Sequence, residues 1–184
     1  IGLNLGNPIK SAIRCPQFRL SYNITDFFKT TVSATSQLDN ASIGELGSSS
    51  IYLRNRAVPN VDIQFQYKRE KFILGLLLDY KELLFTKNDS ILGLQKSLCK
   101  SAAYSVYGKF ESSKFMSKAQ IMYGGNLYEH AMLGGIANTY ENANAFIPIH
   151  TSSIWTNIYL KTNKWNVGFF AGYVQNMGAN EKIG

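Results

Sequence analysis

Few residues of this chain could do nucleophilic or acid–base chemistry. His130 and His150 are the two histidines, and Ser152 and Ser153 follow the second closely. A serine hydrolase needs a base hydrogen-bonded to its nucleophile and a third group that orients the base. No Gly-x-Ser-x-Gly elbow presents either serine. Both histidines fall in or beside the segment Gly124–Ile149, expected to be a loop, and read as exposed loop residues. Cys15 and Cys99 are too few for a disulfide framework, and no His/Cys/Asp group has metal-ligand spacing. Gly134–Gly135 does not make a phosphate loop. The residues therefore point away from an enzyme, with no catalytic, cofactor-binding or metal-binding side chain expected.

The polar residues that remain are organised by alternation. The chain has 184 residues, 45% hydrophobic and 13% aromatic, with only 17% charged. That balance excludes a disordered chain, and its wealth of Tyr and Phe suits strands with one wet and one greasy face. The net charge is +7, but Lys and Arg never form a long basic run, so nucleic acid is not an expected partner. The longest apolar run, Phe72–Leu78, is bounded by Lys71 and Asp79. It falls far short of the roughly 18 residues of a membrane helix. A spanning strand needs only about 9–11 residues.

Period-two alternation, the mark of a two-faced strand, recurs in four pairs. Phe18, Leu20, Tyr22 and Ile24 alternate with Arg19, Ser21 and Asn23, followed by Thr30, Val32 and Ala34 against Lys29, Thr31 and Ser33. Val61, Ile63, Phe65 and Tyr67 alternate with Asp62, Gln64, Gln66 and Lys68; Phe72 to Tyr80 follow, with Asp79 and Lys81 on the opposite face. The third pair carries Ala102 to Phe110, then Phe115 to Tyr123 with Lys118 and Gln120 opposed. The fourth runs Ile154 to Leu160, then Trp165 to Tyr173.

Connections within pairs are short, whereas those between pairs are long, at about 39–60, 82–98 and 124–149. Repeated long loops are unusual in soluble domains but normal on one side of membrane barrels. Aromatics stand at strand ends: Tyr67, Phe72, Phe110, Phe115 and Trp165 beside the short turns, and Tyr80, Tyr123 and Tyr173 toward the other ends. Two such rows read as girdles at two membrane–water boundaries. Nine of the 19 basic residues lie near the short turns, so much of the positive charge is a solvated rim. The polar face then lines a lumen, with Arg19, Asn23, Asp62, Gln64, Gln66, Asp79, Lys81, Lys118 and Gln120 as pore-lining residues. Arg54 and Arg56 open the strand after the first long loop and would sit at the outer mouth. A soluble glycan-binding β-sandwich explains the alternation but neither the loop asymmetry nor the end-placed aromatics.

Three stretches, YLRNRAVPNVDIQFQYK (52–68), MYGGNLYEHAMLGG (122–135) and IPIHTSSIWTNIYLKTNKWNVGFFAGYVQNMG (147–178), resemble a porin-like outer-membrane β-barrel family of Bacteroidota. The shared features are an Arg-Asn-x-x-x-Pro strand entry, a Tyr-Gly-x-Asn-Leu loop start and a Trp-containing hairpin ending in Gly-Tyr-x-x-Asn. They are structural and carry over no catalytic residue. The resemblance implies an outer-membrane pore, a homotrimer or a larger outer-membrane complex, in contact with membrane lipid and lipopolysaccharide.

The expectation is thus all-β: an antiparallel up-and-down transmembrane β-barrel passing small hydrophilic solutes, or a non-conducting barrel that scaffolds an outer-membrane complex. Residues 1–184 form a single domain with about eight strands. The opening IGLNLGNPIKSA and the loop-like residues before Gly184 read as an internal fragment of a longer chain. Its sheet should be an open wall of a larger barrel, with the Gln17–Thr25 and Trp165–Tyr173 strands unpaired with each other.

Overall fold

The computed structural model describes residues 9, 15–37, 41–44, 47–89, 93–142, 144–162 and 164–184. In chain order the elements are β1 (Gln17–Asn23), β2 (Phe28–Thr35), β3 (Ile43–Gly44), β4 (Gly47–Ser48), α1 (Ile51–Arg56), β5 (Asn60–Arg69), β6 (Phe72–Asp89) and β7 (Gly93–Glu111). There follow β8 (Phe115–Gly125), a 3-10 turn (Leu127–His130), β9 (Gly135–Asn138), β10 (Phe146–Lys161) and β11 (Asn166–Gly178).

One antiparallel sheet takes the order β1-β2-β5-β6-β7-β8-β10-β11, with β9 added beside β10. Consecutive long strands are neighbours throughout, which makes the topology up-and-down. The sheet is not closed: β1 and β11 are its edges and do not pair with each other. β3 and β4 form a separate two-stranded ribbon.

Register places every apolar alternate on one face. Val32 pairs with Ile63, Ile63 with Leu78, Leu78 with Tyr104 and Tyr104 with Tyr123. Ile121 then pairs with Ile154, and Ile154 with Tyr173. This face is the open one: Leu20, Leu74, Val106, Ile121, Ile154 and Phe169 are all at least half exposed. The opposite face carries buried Thr31, Ser33, Asp79, Lys81, Ser101, Ser105, Thr151 and Ser153. Phe65, Leu76 and Ile158 lie on the open face and share no enclosed core.

The short turns are as expected. At Glu70 the backbone takes φ 43°, the left-handed geometry of a tight hairpin whose twist matches its strands. The expected long connection at 82–98 is not a loop. β6 and β7 run on past it, pairing from Phe72↔Phe110 to Asp89↔Gly93. Alternation fails there because the expected polar face turns apolar at Leu83, Phe85 and Cys99, while the other face carries Glu82, Thr86, Lys96 and Lys100. Leu83, Phe85 and Cys99 pack with Tyr52 and Leu53 of α1 and with Phe146 in a small core. The Tyr52–Phe85 and Phe85–Phe146 ring centroids are each 4.5 Å apart. Tyr80 consequently lies in mid-strand rather than at a strand end.

The other two long connections carry structure of their own. Residues 36–59 hold the β3–β4 ribbon and α1; residues 126–145 hold the 3-10 turn and β9.

Candidate functional site

The 3-10 turn folds onto the polar face. Asn126 N–H donates to the Ile149 carbonyl and Met132 N–H to that of Leu127, closing the segment on itself. Leu127 is buried with Ala103, Met122 and Met132, and this apolar anchor presses the turn against β7 and β8. Asn126 and Ala131 flank the turn in the left-handed region, at φ 50° and 56°. Their tight reversal brings Glu129 and His130 over the sheet.

Glu129 is fully buried, and its carboxylate gathers groups from three other segments. It accepts hydrogen bonds from the Lys81 ammonium of β6, from the Gln37 amide beyond β2, and from the Asn60 amide at the start of β5, the last at 3.2 Å. Ser42 ties the next layer: its hydroxyl accepts from the Gln37 and Asn126 amides at 3.0 and 3.3 Å. Lys81 and Glu129 side chains are both 0% exposed. A pair so buried survives only because each member has the other and further hydrogen bonds.

His130 stands beside it, Nε2 3.7 Å from Glu129 Oε1 and 4.0 Å from Asp79 Oδ2. Burial holds the imidazole below the ordinary histidine range, and the Lys81 ammonium pushes the same way. Asp79 faces Asp62 across the β5–β6 pair. A cavity of about 560 Å³ opens beside this cluster, lined by Gln17, Arg19, Asp62, Gln64, Asp79 and His130 among others.

Two further polar contacts organise the same face. Tyr107 Oη accepts from the side-chain amides of Gln64 (2.5 Å) and Gln66 (3.2 Å). Gln120 donates to Ser105 at 2.7 Å and accepts from the Trp155 indole at 2.9 Å.

The residues expected to line a lumen all occupy this polar face. Arg19 and Asn23 are exposed on edge strand β1, and Arg19 donates to Gln17 at 2.7 Å. Asp62, Gln64, Gln66, Lys118 and Gln120 are half-buried, whereas Asp79 and Lys81 are buried beneath the inserted turn. Arg54 and Arg56 do not open a strand. They form the last turn of α1, which buries Tyr52 and Leu53 and ends at Ala57 in the left-handed region. Arg54 is exposed, while Arg56 donates to Glu82 at 2.5 Å.

The aromatics fall in two rows on the apolar face. Phe72 and Phe110 are 4.9 Å apart, Phe110 and Phe115 6.1 Å, and Phe27 and Tyr67 5.6 Å. Trp165 is 74% exposed at the adjacent turn. In the other row Tyr80, Tyr123 and Tyr173 are joined by Tyr104, all exposed. Phe72 to Tyr80, Phe115 to Tyr123 and Trp165 to Tyr173 each span eight positions. At about 3.4 Å per residue that is about 27 Å along the strand, and a tilt of roughly 35–45° leaves about 20 Å between rows.

Sequence reasoning placed both histidines in exposed loops, and this is corrected. His130 is buried, and His150 lies in β10, half-buried and stacked 5.5 Å from Tyr123. The cluster of Asp79, Glu129 and His130 also escaped it, since 50 residues separate Asp79 from Glu129. The adjacent Glu-His pair was the one local signal. Comparison with known proteins adds nothing to this geometry: no family model, curated protein or solved structure matches the chain.

Proposed function

We propose that this chain forms part of the wall of a transmembrane β-barrel in a bacterial outer membrane, through which small hydrophilic solutes diffuse. One observation carries the reading. Between the two aromatic rows, among the described residues, the apolar face of β1, β2, β5–β8, β10 and β11 bears no Asp, Glu, Lys or Arg. A face of that height, apolar in the middle and aromatic at both margins, fits the hydrocarbon band and interfaces of an outer membrane, about 25 Å tall. Water is a poor solvent for it, because each large side chain left exposed forgoes roughly 1.5–3 kcal/mol of burial.

Two features support the wall and the pore. The edges β1 and β11 would each leave backbone groups unpaired in lipid, at several kcal/mol apiece; strands beyond this sheet pair with them. The polar face carries a cavity among Arg19, Asp62 and Gln64, where water satisfies what the protein does not. A filled, non-conducting barrel that scaffolds an outer-membrane complex is the second reading, favoured by the buried turn 127–130 on that same face.

Purified protein reconstituted in planar bilayers tests both. Stepwise ohmic openings are the expected result. A barrel that inserts but never conducts supports the filled scaffold. A chain that stays monodisperse without detergent would sink the membrane reading.

A further inference from the structure

We propose that Asp79, Glu129 and His130 bind one divalent transition-metal ion, which clamps the inserted turn 127–130 to strand β6. The ligand atoms of the three residues lie within 4.8 Å of one another. His130 Nε2 is 3.7 Å from Glu129 and 4.0 Å from Asp79, too far for hydrogen bonds. These distances lie close to the edge of a tetrahedron around a zinc-like ion, about 3.4 Å for bonds of about 2.1 Å.

The second observation is independent of that spacing. Asp79, with its side chain 3% exposed, has an oxygen, Oδ1, without a hydrogen-bond partner, and His130 Nε2 is likewise buried without one. Buried polar atoms are normally satisfied, and orphans at one place call for a missing ligand.

Asp79 and Glu129 bring two carboxylates to the cluster, and Lys81 a single ammonium. Arg19, the cation on the open side of the cavity, is exposed and turned to Gln17. One imidazole with carboxylate oxygens suits zinc and its neighbours better than magnesium or calcium. The amides of Gln37 and Asn60, already on Glu129, would orient that ligand as outer partners do. The site stands whether or not the barrel conducts, because it is read in detergent micelles without any conductance.

The experiment is calorimetric titration of ZnCl2 into the folded, EDTA-stripped chain, with Zn-edge X-ray absorption on the loaded sample. One ion per chain, bound at least tenfold more weakly by Asp79→Asn and by His130→Gln and unchanged in Glu111→Gln, is expected. The absorption should show one imidazole nitrogen and carboxylate oxygens. If either variant fails to fold, the wild-type chain decides. No saturable 1:1 binding, a thiolate in the metal shell, or equal affinity in folded variants would each overturn the proposal.

Discussion

Tyr107 lies over Gly75, its antiparallel partner on β6, so closely that a Cβ at position 75 would come within 2.2 Å of the ring. The ring reaches on to Gln64 and Gln66 through its hydroxyl. Tyr159 repeats the arrangement over Gly168, where the approach would be 2.9 Å. In both pairs an aromatic side chain covers backbone that glycine leaves bare, pinning register across neighbouring strands. Gly75→Ala forces the Tyr107 ring aside, and overpacking of this kind costs about 1–3 kcal/mol. Tyr107→Ala should relieve much of that clash in the double variant. Urea unfolding of the four proteins of the cycle measures the coupling, and strictly additive effects would show that the contact is not felt.

The Lys81–Glu129 pair should behave as a buried pair. Lys81→Met leaves the Glu129 carboxylate without its ammonium and should cost about 3–5 kcal/mol. Replacing both, Lys81→Met with Glu129→Leu, should recover part of the loss, since an apolar pair removes the desolvation penalty as well as the attraction. Protease resistance of segment 126–142 is a second readout. Loss of resistance in Lys81→Met alone is expected; an unaltered segment would mean the pair does not hold the turn.

The two faces of the sheet should answer differently to charge. Leu76 stands midway between Phe72 and Tyr80 on the apolar face. Leu76→Arg should lower stability in lipid by about 2–4 kcal/mol, the cost of a cation at the bilayer midplane. Gln64→Arg, one strand away on the polar face, should cost far less. Folding titrations into lipid vesicles give both numbers, and equal losses would remove the argument for lipid on the apolar side.

Orientation is testable by labelling. The long connections should face outward from the cell and the tight turns inward. Tyr140 is 74% exposed in the 126–145 connection, and Ser113 is exposed in the turn after β7. With Cys15 and Cys99 replaced, Tyr140→Cys should react with an impermeant maleimide on intact cells, and Ser113→Cys should not. Reaction at Ser113→Cys alone would invert the orientation. Protease should nick 39–60 more readily than 126–132, whose Leu127, Glu129 and Met132 are buried.

Alternation made the sheet legible. Each of Leu20, Ile63, Leu76, Ile121 and Ile158 was assigned to its face from period two alone, because side chains on a strand point to opposite faces whatever its neighbours are. The same logic failed at 82–98. There α1 covers one face of the hairpin, and Leu83 and Phe85 turn apolar where the rule required polar residues. Arg54 and Arg56 were misplaced for a related reason. A six-residue helix is too short to show a clear 3.6 period, and this one depends on packing Tyr52 and Leu53 against β6.

By itself, then, the order of residues determined strand identity, the facing of each side chain and the tight turns, all of which follow from local backbone geometry. The tertiary structure alone decided which way the 126–145 connection folds. It turns inward because Leu127 finds a pocket with Ala103, Met122 and Met132, and Glu129 finds Lys81, Gln37 and Asn60. Ala103, Lys81, Asn60 and Gln37 lie 24 to 92 positions away, in β7, β6, β5 and just beyond β2, and only the pairing of the strands carries them to one place. A buried carboxylate requires such company, and no period along the chain announces it.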